Sequence, residues 1–293
     1  MLPFGAMFRS ESRPAFRDAS DSPGPLTLLR RAIAEVASRR RLIRYLVAAE
    51  MKKRGSDTVL GNIWWILDPL LQMVVFVVFV TIIAQRPAPD YPLFIFAAIL
   101  PWKWFSTSIA GAVTSVTVRE RIIKQVNFPK IVLPIADVFS GVASFAFGLI
   151  PLAGLLIVFY PTHISAWLAL IPVIAVVQLL LTLGLAIIAS SITVFFRDLG
   201  NVATHALRIW FYLSPALYGS DQIAELSKNH PQLFQLYNLN PFAAIFESYR
   251  NVIYYGQAPT WGLLGLVLVE SIVLLVCSVL IFRRLEPSFA KVI

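Results

Sequence analysis

The chain holds one cysteine and three histidines, no Gly-Lys pair and no Asp-x-Asp, and only 14% of its 293 residues are charged. A lone Cys277 excludes a disulfide framework or a zinc cluster within one chain, and leaves the redox compartment open. ATP hydrolysis needs a glycine-rich phosphate loop ending in Gly-Lys-Ser or Gly-Lys-Thr, so this chain alone does not hydrolyse ATP. A membrane glycosyltransferase or acyltransferase would gather acids, or a histidine with a carboxylate, at a membrane edge. His163, His205 and His230 are scattered instead, which argues against an enzyme.

What is abundant is apolar surface: 58% of residues are hydrophobic and the mean hydropathy is +0.74. That is more than one water-soluble core can hide, so the excess faces lipid. A bilayer core takes roughly 20 helical residues to cross. Runs of that order lie at 64–85, at 101–118 after an apolar lead-in over 91–100, at 131–160, at 166–196, at 202–219 and at 261–282. They are continuously apolar, without the alternation of barrel strands, so the expected fold is an all-α membrane protein of six transmembrane helices.

Lysine and arginine give the orientation, because cytoplasmic segments retain them. Arg39, Arg40, Arg41, Arg44, Lys52, Lys53 and Arg54 precede the first span, Arg119, Arg121, Lys124 and Lys130 separate the second from the third, and Arg283, Arg284 and Lys291 follow the last. The opposite connections hold Arg86, Lys228 and Arg250. Both termini are therefore expected inside. The net charge of +9 reflects this sidedness and a basic rim near anionic lipid, so no nucleic-acid partner is needed.

Residues 1–25, rich in Ser, Pro, Arg and Asp, read as a disordered tail without a cleavable signal peptide. The segment 26–57 follows as an amphipathic element, with Leu29, Ile33, Val36, Ile43 and Val47 spaced between arginines. Such a helix lies in the inner interface plane or packs on the protein's own cytoplasmic side. The six-helix domain takes up 58–293. Asp68 before Pro69 reads as an N-cap at the start of the first crossing helix.

Between spans two and three, Arg119, Glu120, Arg121, Ile122, Ile123, Lys124, Gln125, Val126, Asn127, Phe128, Pro129 and Lys130 form a short mixed-charge segment with apolar residues on it. It is either a helix that docks into a partner's groove or an ordinary basic loop. After span four, Arg197 and Asp198 are adjacent opposite charges that would pair or cap the next helix, a latch at the cytoplasmic turn. Residues 220–260, on the outer side, carry Phe234, Tyr237, Phe242, Phe246, Tyr249, Tyr254 and Tyr255. The spacing over 241–254 predicts a short helix, and we expect re-entrant helices here. Aromatic planes pack on the C–H faces of sugars, and they also furnish the ordinary interface belt. The acids Asp137, Glu247 and Glu270 fall in or near apolar helices; Glu270, nearest a span centre, either pairs with another helix or lines a wet cavity.

Five motifs in order carry a resemblance: Thr58-Val59-Leu60-Gly61 with Trp64-Trp65; Leu100-Pro101-Trp102-Lys103-Trp104-Phe105; Ile123-Lys124-Gln125-Val126-Asn127-Phe128-Pro129-Lys130; Phe196-Arg197-Asp198-Leu199-Gly200-Asn201; and Leu239-Asn240-Pro241-Phe242. Over 26–293 the chain resembles the permease subunits of ABC-2 type exporters for O-antigen, capsule, teichoic acid and related glycans. The resemblance implies a half-transporter in the bacterial cytoplasmic membrane that pairs with a second copy of itself and with two copies of a cytoplasmic ABC ATPase. That partner binds ATP and magnesium, and this chain carries no cofactor and no metal. It also implies that 119–130 is the coupling loop seated on the ATPase and that a lipid-linked glycan leaves past aromatic rings. Trp102, Trp104, Phe105, Tyr237, Phe242, Phe246, Tyr249 and Tyr254 are the candidates for that path. The rival readings are an ABC-2 exporter of a drug or lipid, a membrane enzyme acting on lipid-linked sugar, and a structural subunit without transport.

Overall fold

A helix satisfies its own backbone, and the apolar runs take that form. The computed structural model describes residues 24–55, 60–83, 89–125, 128–219, 232, 237 and 239–292, and among them there are helices and turns but no strands. The helices are α1 (Pro25–Ser38), α2 (Arg40–Gly55), α3 (Trp64–Val78), α4 (Tyr91–Thr114), α5 (Glu120–Gln125), α6 (Val132–Val158), α7 (Ile171–Phe195), α8 (Leu199–Leu213), α9 (Pro241–Ile253) and α10 (Trp261–Val292). Among the described residues five stretches are long and apolar enough to cross a bilayer: Trp64–Ile82, Tyr91–Thr114, Val132–Val158, Ala166–Phe195 and Trp261–Phe289.

Several boundaries differ from the sequence reading, each for a physical reason. The expected fifth span, 202–219, is the 15-residue helix α8 followed by turns through Tyr218. At 1.5 Å per residue α8 reaches about 22 Å, short of the roughly 30 Å apolar core. Pro101 does not begin the second span; it sits inside α4, which starts at Tyr91. A proline costs a helix one hydrogen bond, and tight packing against neighbours makes that tolerable. The buried Gln178 of α7 donates Nε2 to the Pro101 carbonyl at 2.8 Å. Asp68 is not an N-cap either, since α3 begins at Trp64 and Pro69 is interior. Arg283 and Arg284 end the last apolar run but not α10, which continues to Val292.

α4 is the hub, packing on α3, α6, α7, α8 and α9. Every residue from Leu93 to Leu100 is buried, as befits a helix apolar all round. Two glycines let helices approach: a Cβ at Gly141 of α6 would collide with Ser108 Oγ and the Trp104 ring on α4, and one at Gly184 of α7 would lie 3.1 Å from the Leu275 backbone nitrogen on α10. Exposed Leu71, Val74 and Val75 on α3, Ile150 and Ile157 on α6, and Leu266, Val269 and Val273 on α10 form the outward apolar faces. α1 packs on α10 and α2 on α6, so the amphipathic segment is two helices joined at Arg39. Residues 1–23 of the expected tail lie outside the described residues; Pro25 already belongs to α1.

Candidate functional site: a polar groove at membrane depth

Polar side chains gather on one side of α4 where it meets α3 and α8. A groove of about 500 Å³ is lined there by Gln72 and Phe76 of α3, by Trp102, Ser106, Thr107 and Ala110 of α4, and by Thr204, Leu207, Arg208, Phe211 and Tyr212 of α8. One helical turn away, Lys103 forms an ion pair with Asp68. Asp68 is an exposed residue and Lys103 a half-buried one, so the pair extends the polar stripe. Ser106 and Thr107 both donate to the Lys103 carbonyl, at 3.3 and 2.8 Å, and Thr204 donates to Gly200 at 3.3 Å. Their protons are spent within the helices, but each hydroxyl oxygen still has lone pairs to accept from a ligand. A carboxylate, an ammonium, a guanidinium and an amide along one face at this depth suit water, a hydroxyl-rich solute or another protein surface far better than hydrocarbon.

Behind the groove stands a wall of aromatic rings. Trp102 lies 5.3 Å from Phe105, 5.5 Å from Phe211, 5.0 Å from Phe242 and 6.2 Å from Phe246, measured between ring centroids. Phe105 and Phe242 meet at 4.5 Å, and Phe242 and Phe246 at 5.3 Å. Of the aromatic residues proposed from sequence, Trp102, Trp104, Phe105, Phe242, Phe246 and Tyr249 are buried. Trp104 packs on Phe145 at 5.0 Å, and Phe145 in turn on Tyr249 at 5.9 Å. In this conformation Trp102, Phe105, Phe242 and Phe246 form the groove's backing, Trp104 and Tyr249 pack with Phe145 instead, and of these candidates only Trp102 lines the groove itself. Tyr237 is half-buried.

The end of the bundle where α9 meets residues 214–219 is clamped by long-range polar contacts that sequence reasoning missed. Arg250 of α9 is 4% exposed; Nη2 donates to the Ala216 carbonyl at 2.6 Å, Nη1 to the Tyr218 carbonyl at 3.1 Å, and the guanidinium lies 3.8 Å from the Phe94 ring centroid. Residues 214–219 are thereby tied to α9 and α4. Asn240 caps α9: its Oδ1 accepts from Phe242 N at 3.1 Å and from Trp210 Nε1 at 3.0 Å, while Nδ2 donates to Ser214 Oγ at 2.8 Å. This gives the Asn240-Pro241-Phe242 motif a physical reason. His163 spans the Tyr254 carbonyl, 2.5 Å from Nδ1, and the Asp90 carboxylate, 3.0 Å from Nε2, and stacks on the Tyr254 ring. Tyr254 Oη donates to the Pro89 carbonyl at 2.6 Å, so it too is a fastener here.

On the opposite edge, 119–130 contains the short helix α5, with Val126 and Asn127 outside the described residues. Arg119 donates to the Ser115 carbonyl at 3.1 Å and stands 3.7 Å from Asp137 of α6, which gives that buried acid its counter-ion. Lys124 and Glu120 pair at 2.6 Å, and the hydrogen bond from Lys124 holds the Glu120 carboxyl below its usual range. Ile123 is buried, and Phe128 packs against the same apolar cluster of this chain. Among the described side chains of α5, Arg121, Lys124 and Gln125 are exposed. The expected Arg197–Asp198 latch does not close: both residues are exposed, no side-chain cap bond forms, and the turn is held by Asn201 and Val202 N–H bonds to the Asp198 carbonyl at 3.0 and 3.2 Å. Glu270 is exposed on the outward face of α10, with no ion pair among the described residues.

Five long apolar helices, a membrane-depth polar groove and a basic loop on one edge fit a membrane transporter. The family profile of ABC-2 type transporters matches residues 41–254. The chain belongs to the ABC-2 type transporter family. Among its relatives is the O-antigen export system permease protein RfbA of Myxococcus xanthus, 33% identical over 261 residues that cover 89% of this chain and 98% of that protein. A protein of the same description from Klebsiella pneumoniae is 28% identical over 244 residues, covering 83% and 92%. This ABC-2 transporter chain is a multi-pass membrane protein, and its profile match runs from α2 to the end of α9, taking in the groove and both of its ends.

Proposed function

We propose that this chain is the permease subunit of an ATP-driven exporter that moves a lipid-linked polysaccharide, of O-antigen type, across the bacterial cytoplasmic membrane. Two copies of it work with two copies of a separate cytoplasmic ATPase, which supplies the nucleotide chemistry that this chain lacks. The observation that carries the reading is the groove: hydroxyls, an amide and charges at membrane depth, backed by aromatic rings, suit a hydroxyl-rich chain. Permease relatives named for O-antigen export support the same substrate class. In this reading α8, the turns after it and α9 together make a fifth passage with a re-entrant outer hairpin, which restores six passages with both termini inside. The 119–130 loop seats on the ATPase through Arg121, Lys124 and Gln125.

The geometry supports the following mechanism. The lipid-linked end approaches from the inner leaflet beside α2, where Arg40 and Arg44 flank an open apolar groove of about 490 Å³ that includes Phe139 of α6. Guanidinium groups there suit a phosphate-bearing lipid head. Sugar residues then run along the α3–α4–α8 groove, exchanging hydrogen bonds with Gln72, Thr204 and Arg208 while the ring wall offers apolar faces. Exit needs the aromatic wall and the Arg250 clamp to part, which couples the outer end to the ATPase stroke. The test is a null strain of the parent bacterium. The expected result is lipid-linked polysaccharide accumulating inside, with export restored by the wild-type gene and only to about a tenth of that level by Arg208→Ala. Unchanged surface polysaccharide in the null strain, or export by the purified permease with no ATPase present, would overturn the proposal.

A further inference from the structure

The cytoplasmic end holds a connection that neither groove nor loop explains. Arg283, just beyond the last apolar run, donates Nη2 to Glu35 Oε2 of α1 at 2.7 Å and Nη1 to Glu286 Oε2 of α10 at 3.0 Å. The other oxygen of Glu286, Oε1, accepts the backbone N–H of Lys130 at 2.7 Å. Lys130 closes the 119–130 loop. One guanidinium and one carboxylate thus join the loop, the last helix and the interface helix.

The same three parts share an apolar cluster, with Ala32 from α1, Ile123 and Ile131 from the loop region, and Val279, Phe282 and Phe289 from α10. The polar links above it differ in burial: Arg283 and Glu286 side chains are 11% and 13% exposed, whereas Glu35 is 41% exposed. The loop-to-α10 link is therefore sheltered, and the α10-to-α1 link can exchange with water. Pro287 follows at once and cannot donate to the Arg283 carbonyl, which loosens α10 at this turn. A tight link, a loose link and a helical turn missing one hydrogen bond meet at this point.

We propose that Arg283 and Glu286 are positioning residues that carry movement of the 119–130 loop to the interface helix α1, so that the ATPase stroke and the opening beside α2 stay in step. This rests on the reading that the loop seats on an ATPase. Simple packing would hold α1 in place; a carboxylate bonded to both the loop backbone and an arginine makes α1 follow the loop.

The test uses the complete permease–ATPase complex in proteoliposomes, reading polysaccharide exported per ATP hydrolysed. Arg283→Gln and Glu286→Gln should retain the ATPase and basal hydrolysis, yet lose about tenfold in export per ATP, within the range of ordinary coupling free energies. Glu35→Gln should lose less, because its link is the looser one. A second arm replaces Cys277 by serine and pairs Glu35→Cys with Arg283→Cys: the unbridged protein should be uncoupled, and a short bifunctional thiol reagent should restore export per ATP. Unchanged export per ATP in both glutamine variants would overturn the joint, as would a loss that follows only folded-protein recovery and is not rescued by bridging. Failure of wild type to retain any ATPase would instead bring down the docking reading, and the joint with it.

Discussion

The two ends of this molecule are fastened differently. At the end proposed to face outward, rings and backbone carbonyls do most of the holding: Arg250 binds the Ala216 and Tyr218 carbonyls, and His163 binds the Tyr254 carbonyl, with Asp90 as the one carboxylate among these contacts. At the end proposed to face the cytoplasm, carboxylates predominate, each paired with a cation: Glu35 and Glu286 with Arg283, Asp137 with Arg119, Glu120 with Lys124. A backbone carbonyl cannot swing to a new partner without moving the chain, whereas a carboxylate on a flexible stem can. Under the proposed function, the outer end would part as a unit, and the inner end would present exchangeable contacts to the proposed ATPase.

Breaking the outer clamp should have the largest effect. Arg250→Ala removes two charge-assisted hydrogen bonds and leaves buried carbonyls unmet, so it should destabilise the protein by about 3 kcal/mol, measured by thermal unfolding in detergent. Arg250→Lys should recover part of this, because a lysine reaches one carbonyl but lacks the fork. Between the two ends, Arg208→Ala or Asp68→Ala should leave unfolding nearly unchanged and lower export by about tenfold, the equivalent of about 1.4 kcal/mol. His163→Phe keeps the stack on Tyr254 and loses both polar contacts, a loss of about 1–2 kcal/mol that sharpens the contrast with Arg250.

The smallest effect belongs to the exposed inner edge. Glu120 is held below the usual carboxylate range by Lys124, so its ionised pairing is complete at neutral pH and is lost as pH falls through the depressed value. Glu120→Gln should change ATPase recovery by less than about twofold at neutral pH and flatten its acid limb, as befits a solvent-exposed pair.

Much of this was legible in the sequence. Continuous apolar runs bounded by arginines located the crossing helices, because hydrocarbon tolerates little else, and the ordered motifs pointed to the family. Pro101 was misread because a proline looks like a helix boundary until the helices around it are known. The 202–219 run reads as one span because composition does not show where a helix turns: Ser214 leaves helical geometry and its hydroxyl is bound by Asn240. The aromatic candidates were identified as residues but not as a wall, since their burial depends on α9 folding back onto α4. Arg250, Glu286 and the Asp68–Lys103 pair gave one usable signal, a charge beside or within an apolar segment. Their partners lie across helix contacts that local spacing does not encode.

The central claim is that the α3–α4–α8 groove faces water and glycan instead of lipid. Cysteine accessibility tests it directly, in a Cys277→Ser background because the native thiol is exposed. Thr204→Cys and Ser106→Cys would be treated with a membrane-impermeant thiol reagent in the assembled exporter, beside Val269→Cys on the outward face of α10. The account predicts labelling at the two groove positions, protection by polysaccharide substrate, and no labelling at position 269. Groove cysteines as silent as the position-269 control, or labelled without any protection by substrate, would contradict it.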